Sequence, residues 1–249
     1  MPALASRTTR TLLIATVFAV GPAVQAQEVS TKHLAPGFTI RAPESRLVIL
    51  PADMELFSIS AGGVVEPRED WTEAAQKNFV AALATQKQRL GPHVTQLDAA
   101  QADEFADITT LHRAVADAIS LHHIQGGLMA LPTKADRLDW SLGDAVRPLK
   151  ERTGADYALF TWMRDSYTSN ERKLAMVALA LLGAITLGGE QVGYASLVDL
   201  NTGRVVWFNK LDRMWGDLRD SGASVETVEA LLRGFPGSSG SEEASHAKH

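Results

Sequence analysis

The order of apolar and polar positions divides the chain into strands and helices that alternate irregularly. Leu47-Val48-Ile49-Leu50 is a continuous apolar run, as expected of a strand buried on both faces. Pro51 interrupts it, Met54 to Ser60 resumes it in alternation, and Ala61-Gly62-Gly63 closes the unit. At Asp70 the period changes to that of a helix. Trp71, Ala75, Phe79, Ala82 and Leu83 fall on one face, Asp70 and Glu73 stand at capping-box spacing, and Gly91-Pro92 ends the run. His93 to Leu97 reads as extended. A second helical face follows through Ile108, Leu111, Val115, Ala118, Ile119 and His122, closing near Gly126-Gly127. A third helix is predicted from Ser141 to about Arg152, ended by Gly154.

Beyond Gly154 the pattern becomes that of strands. Asp156 to Asp165 is aromatic-rich, Gln191 to Leu200 alternates, and Arg204 to Leu211 contains Val205, Val206, Trp207 and Phe208. Asn201-Thr202-Gly203 between the last two suits a tight hairpin loop. Val225 to Arg233 is a final helix with Val228, Leu231 and Leu232 inward and Gly234 as its cap. The fold class predicted is α/β: a mixed β-sheet packed by helices, with an antiparallel C-terminal hairpin. Residues 45–235 read as a single domain, preceded by an irregular lead-in over 27–44 and followed by a disordered tail over 236–249.

The first 26 residues do not belong to that domain. Arg7 and Arg10 make a positive start, Leu12 to Val20 is apolar, Gly21-Pro22 breaks the helix, and Val24-Gln25-Ala26 offers a cleavage site. This is the layout of a signal peptide, which predicts a periplasmic or secreted protein. The chain has no cysteine, which removes the lipid-anchor site of bacterial lipoproteins, disulfides and thiolate metal sites together. It holds 24 basic and 29 acidic residues for a net charge of −5. The signal takes two arginines and no acid with it, leaving −7, which argues against nucleic acid as a partner.

Candidate chemistry is sparse. His112, His122 and His123 share one predicted helix, but His112 and His123 are about 16 Å apart along its axis, too far for one ion. No Gly-x-Ser-x-Gly elbow and no phosphate-cradling glycine motif occurs. No metal, cofactor or catalytic residue is predicted. Arg164, Asp165, Ser166, Tyr167, Thr168, Ser169 and Asn170 gather polar groups in a loop at the expected end of a strand. This is either a ligand surface or a solvated turn whose Arg and Asp pair locally. Leu174 to Leu187 carries no charge and is apolar all round; as a helix it would reach about 21 Å, too short to span a bilayer. It is read as core, or as a surface for self-association, an envelope partner or peripheral membrane contact, through Leu174, Leu179 and Leu182.

A helix ending in Gly154, Ala155-Asp156-Tyr157-Ala158-Leu159, and then Tyr194-Ala195-Ser196-Leu197-Val198-Asp199-Leu200-Asn201-Thr202-Gly203-Arg204-Val205-Val206-Trp207 carry a family likeness. This stretch resembles the periplasmic α/β module of cell-envelope assembly proteins, among them the curli-secretion lipoproteins and the lipoprotein activators of peptidoglycan synthases. The early Leu47-to-Pro51 strand and the helix from Asp70 are similar to the way such modules begin. The chain departs from them in lacking a lipidated cysteine and in the non-alternating Leu174–Leu187 stretch. The resemblance implies a non-catalytic protein-interaction module in envelope assembly or maintenance, with self-association or another envelope protein as partner. The alternative is a periplasmic hydrolase or small-ligand-binding protein that uses the 164–170 loop.

Overall fold

The structure is a computed structural model and describes residues 31–60, 62–168 and 189–238. The expected signal over residues 1–26, the apolar run Leu174–Leu187 with Leu179 and Leu182, and Asn170 lie outside the described residues. Among the described residues seven strands form one mixed sheet: β1 (Leu47–Ile49), β2 (Asp53–Ile59), β3 (Val65–Pro67), β4 (Val94–Gln96), β5 (Tyr157–Thr168), β6 (Gln191–Asp199) and β7 (Val205–Arg213). The α-helices among the described residues are α1 (Glu69–Thr85), α2 (Lys87–Leu90), α3 (Ala99–Asp103), α4 (Ala106–Ile119), α5 (Arg147–Thr153) and α6 (Ser221–Leu231). No helix among the described residues is long and apolar enough to cross a membrane.

β5 is the central strand. β1 and β2 lie end to end along one side of it, both parallel to it, and β6 runs antiparallel along the other. β4 pairs in parallel with β1, β3 antiparallel with β2, and β7 antiparallel with β6. Pro51 has a backbone role in this. Ile49 stands opposite Leu159 and Asp53 opposite Trp162, so Leu50, Pro51 and Ala52 oppose only Phe160 and Thr161. The extra residue is accommodated at the proline, which has no amide to give the ladder. In the hairpin, Gly203 has φ +70°, and a Cβ there would meet the Gly143 carbonyl at 2.2 Å. Only glycine fits.

Helices cover both faces of the sheet. On the front, Ala75, Phe79, Ala82 and Leu83 of α1 and Val228 and Leu231 of α6 pack against Leu47, Leu56, Leu159, Met163, Leu197 and Trp207. On the back, Ile108, Ala116 and Ile119 of α4 and Leu149 of α5 pack against Val48, Ala158, Phe160, Val198 and Phe208. The mixed sheet and its C-terminal hairpin agree with the sequence reading.

Several local expectations are corrected. α1 begins at Glu69 with no side-chain cap, and Asp70 instead forks the Arg68 guanidinium at 3.0 and 2.7 Å. A reciprocal capping box does occur, between Asp98 and Gln101 at the start of α3. The inward face of α4 is rotated from the predicted one: His112 and Ala116 are buried while Leu111 is exposed. The helix then widens into a π-turn over Ser120–Gln125, and His123 rather than His122 is buried there. The third helix starts as a 3₁₀ turn, Gly143–Val146, and becomes α-helical only at Arg147.

The lead-in is irregular but fastened. Ala35 donates its amide to Val206 O at 3.0 Å, and Arg41 donates its amide to Gly237 O at 3.0 Å. The Arg41 side chain is buried with no carboxylate partner among the described residues. It donates to Pro236 O at 3.0 Å and Leu90 O at 2.6 Å, and its guanidinium lies 5.1 Å from the centre of the Phe235 ring. Burial pulls its pKa down to about 10. One side chain thus ties the lead-in to the end of α2 and to Pro236–Ser238, the last described residues.

Candidate functional site

β5 continues to Thr168, so Arg164 to Thr168 is strand and not the expected loop. The consequence is geometric, because successive side chains point to opposite faces. Arg164 and Asp165 therefore cannot pair with each other. Arg164 reaches Asp53 at 2.8 Å and Glu55 at 3.5 Å across β2, and its guanidinium lies 4.8 Å from the Trp162 ring centre. Asp165 and Tyr167 follow Leu159 and Met163 onto the front face.

There they belong to a row that crosses three strands. Asp165 of β5 is directly opposite Gln191 of β6, which is directly opposite Arg213 of β7. Gln191 donates Nε2–H to Asp165 Oδ2 at 2.5 Å, and Arg213 donates Nε–H to Gln191 Oε1 at 2.8 Å. Arg213 also donates to Thr227 Oγ1 of α6 at 2.5 Å. The Tyr167 hydroxyl donates to Asp165 Oδ2 and accepts the Leu218 amide at 2.8 Å. Arg219 lies over the Tyr167 ring at 3.8 Å and near Trp71 at 4.4 Å, while forking Asp217 at 2.8 and 2.7 Å. Gly216, at φ +124°, lets the chain turn here; a Cβ would strike the Gln191 and Arg213 side chains within 3 Å.

Burial pushes the Asp165 carboxyl up to about 6, against the lowering effect of its Tyr167 and Gln191 donors. Burial, and then Asp165 beside it, raises the Tyr167 hydroxyl far above its ordinary value, so it remains a donor. A cleft of about 150 Å³ opens beside this network, lined by Asp165, Tyr167, Glu190, Gly216, Asp217 and Arg219. Next to it a wider cleft of about 520 Å³ is bounded by Arg89, Arg213, Arg233, Glu226 and Glu229. Trp215 lines both. It is 70% exposed and its neighbour Met214 61% exposed, just beyond the end of β7.

The back face holds one arrangement that looks catalytic at first. His112 Nε2 lies 2.5 Å from Ser196 Oγ. Ser196 is fully buried, and the imidazole is stacked on Phe160 with ring centres 4.0 Å apart. Burial drives the His112 pKa down to about 3, so the ring is neutral. A serine nucleophile needs access for a carbonyl and donors for the oxyanion. A pair sealed between α4 and the sheet instead satisfies two buried polar groups with each other. His123, also buried, bonds Lys32 O at 2.6 Å, so neither histidine points toward the other. Among the described residues no three His, Asp or Glu side chains are placed to share an ion.

Of the residues singled out from the sequence, Asp165 and Tyr167 come together at this corner, and Arg164 is on the opposite face. Sequence reasoning missed Gln191, Arg213, Trp215 and Arg219. The signal for Asp165 and Tyr167 was the inward period of Leu159 and Met163 carried two steps further; nothing local marks the others.

No family model and no curated protein matches the chain. Among solved structures it is similar to the PelC dodecamer from Paraburkholderia phytofirmans, at 12% identity over 78% of this chain and 93% of that one, with a TM-score of 0.36. Lipoprotein GNA1162 from Neisseria meningitidis matches at 15% identity over 76% and 94%, with a TM-score of 0.32. The LpoB C-terminal domain from Salmonella enterica matches at 13% over 72% and 87%, with a TM-score of 0.27. Likenesses this loose transfer neither partner nor activity to this chain.

Proposed function

We propose that the chain is an exported, non-catalytic interaction module of the cell envelope that works through the corner where β5 and β7 end and β6 begins. The observation that carries this reading is the pair Met214–Trp215, exposed beside a cleft with three arginines and two glutamates at its edge. Trp and Arg are the residues that most often anchor protein interfaces. An exposed tryptophan held next to a rigid hydrogen-bonded network is pre-organised for that use. The ligand-binding alternative draws on the smaller cleft at Asp165. It is less favoured, because Asp165, Tyr167, Gln191 and Arg213 are engaged with one another.

The absence of cysteine makes a single introduced thiol a unique handle. Met214→Cys in the full chain, expressed with its signal and treated in intact cells with a short thiol-to-amine cross-linker, is expected to give a discrete protein adduct. Lys77→Cys, exposed on the outer face of α1, is expected to give none. Adducts from neither position, with the folded protein exported, would overturn the reading.

A further inference from the structure

The two sides of the β7 edge differ along its length. Its first half is covered: Trp207 bridges Leu34, Val206 O accepts the Ala35 amide, and Phe208 O accepts His33 Nδ1–H at 2.8 Å. Beyond Phe208, no described residue pairs with the outer edge. Outward backbone groups alternate along an edge strand, so after Val206 and Phe208 the next are those of Lys210 and Asp212. The uncovered window, Asn209 to Arg213, is centred on Leu211.

We infer that this window pairs antiparallel with the same window of a second copy, about a two-fold axis at Leu211. The inference rests on the interaction reading above and specifies the partner. Two observations support a second copy over another strand. First, the register is self-consistent: with Leu211 opposite Leu211, Lys210 faces Asp212 of the other copy, and both present outward amides and carbonyls, as a hydrogen-bonded pair requires. Second, the charges are complementary in that register alone. Lys210 and Asp212 share the back face, their charged atoms 3.7 Å apart, and the two-fold sets each against its opposite in the other copy. Asn209 and Arg213 do not compete, since their side chains are held on the front face by α6. The pairing ends where the lead-in begins to cover the edge, which limits it to one short isologous contact.

The test is sedimentation of the full-length exported chain over a range of concentrations. The wild type is expected to double its mass as concentration rises. Lys210→Asp sets two acids against two acids, and Asp212→Lys sets two lysines against two lysines, so each alone is expected to stay monomeric. Mixed in equal amounts, they are expected to form a heterodimer. The double exchange, with Lys210→Asp and Asp212→Lys in one chain, is expected to restore the homodimer, which separates lost pairing from lost folding. A wild type that remains monomeric, or an oligomer indifferent to these exchanges, overturns the inference. Adducts from Met214→Cys to another protein would still stand in that case, so the two readings fail separately.

Discussion

The two faces of the sheet solve the same problem differently. On the back, His112 and Ser196 form a two-membered polar pair, closed off by Phe160 and α4. On the front, Asp165, Tyr167, Gln191, Arg213 and Thr227 form a longer chain that runs from the core to the rim, where Trp215 and Arg219 meet solvent. Both networks satisfy buried polar groups, but only the second connects to a surface. Proximity of a histidine to a serine is therefore a poor guide to function here, whereas the route by which a network reaches the outside is a good one.

The largest expected effect comes from breaking the closed pair. His112→Ala removes a ring stacked on Phe160 and strands the Ser196 hydroxyl; a loss of about 3–5 kcal/mol is expected in denaturant unfolding. Next is pH, where the two networks oppose each other. Asp165 has a folded pKa above its ordinary value, so the native state holds a proton that the unfolded chain releases, and stability falls as pH rises from about 4 to about 6. His112 has a folded pKa below its ordinary value, so stability falls as pH drops through that same window. In the wild type the two slopes offset. Asp165→Asn is expected to uncover the histidine slope and His112→Gln the opposite one, each on the order of 2–3 kcal/mol across the window. Thermal melts at intervals of pH read both signs.

A smaller change, about 1–3 kcal/mol, is expected from Tyr167→Phe, which leaves the Leu218 amide and one Asp165 contact unmet. Trp215→Ser is expected to shift unfolding by less than about 0.5 kcal/mol, since the side chain is largely exposed. The same substitution is expected to abolish cross-linking from Met214→Cys. A stability loss without a loss of cross-linking would place Trp215 in the fold and not in an interface.

The strands and the hairpin were legible because their signals are local: the apolar run at Leu47–Leu50, the Asn-Thr-Gly turn and the aromatic-rich stretch from Tyr157. What was illegible depended on distant partners. The face of α4 was misread because Leu111 outweighs His112 on any apolar scale, while the groups that favour burying the histidine, Phe160 and Ser196, are on β5 and β6. Arg164 to Thr168 looked like a loop because it is polar, yet β2 and β6 flank it and give each residue a cross-strand neighbour. Arg41 gave no sign of burial, since its acceptors are backbone carbonyls at Leu90 and Pro236. Trp215 was invisible for the converse reason: exposure is decided by what fails to cover a residue.

The most direct measurement compares the reactivity of Met214→Cys toward a bulky maleimide in the purified full-length chain and in intact envelopes, with Lys77→Cys as reference. An interaction module working through this corner predicts that the thiol at 214 reacts freely when purified and diluted to the monomer and is protected in the envelope, while that at 77 reacts equally in both. Equal reactivity at 214 in both settings would contradict it.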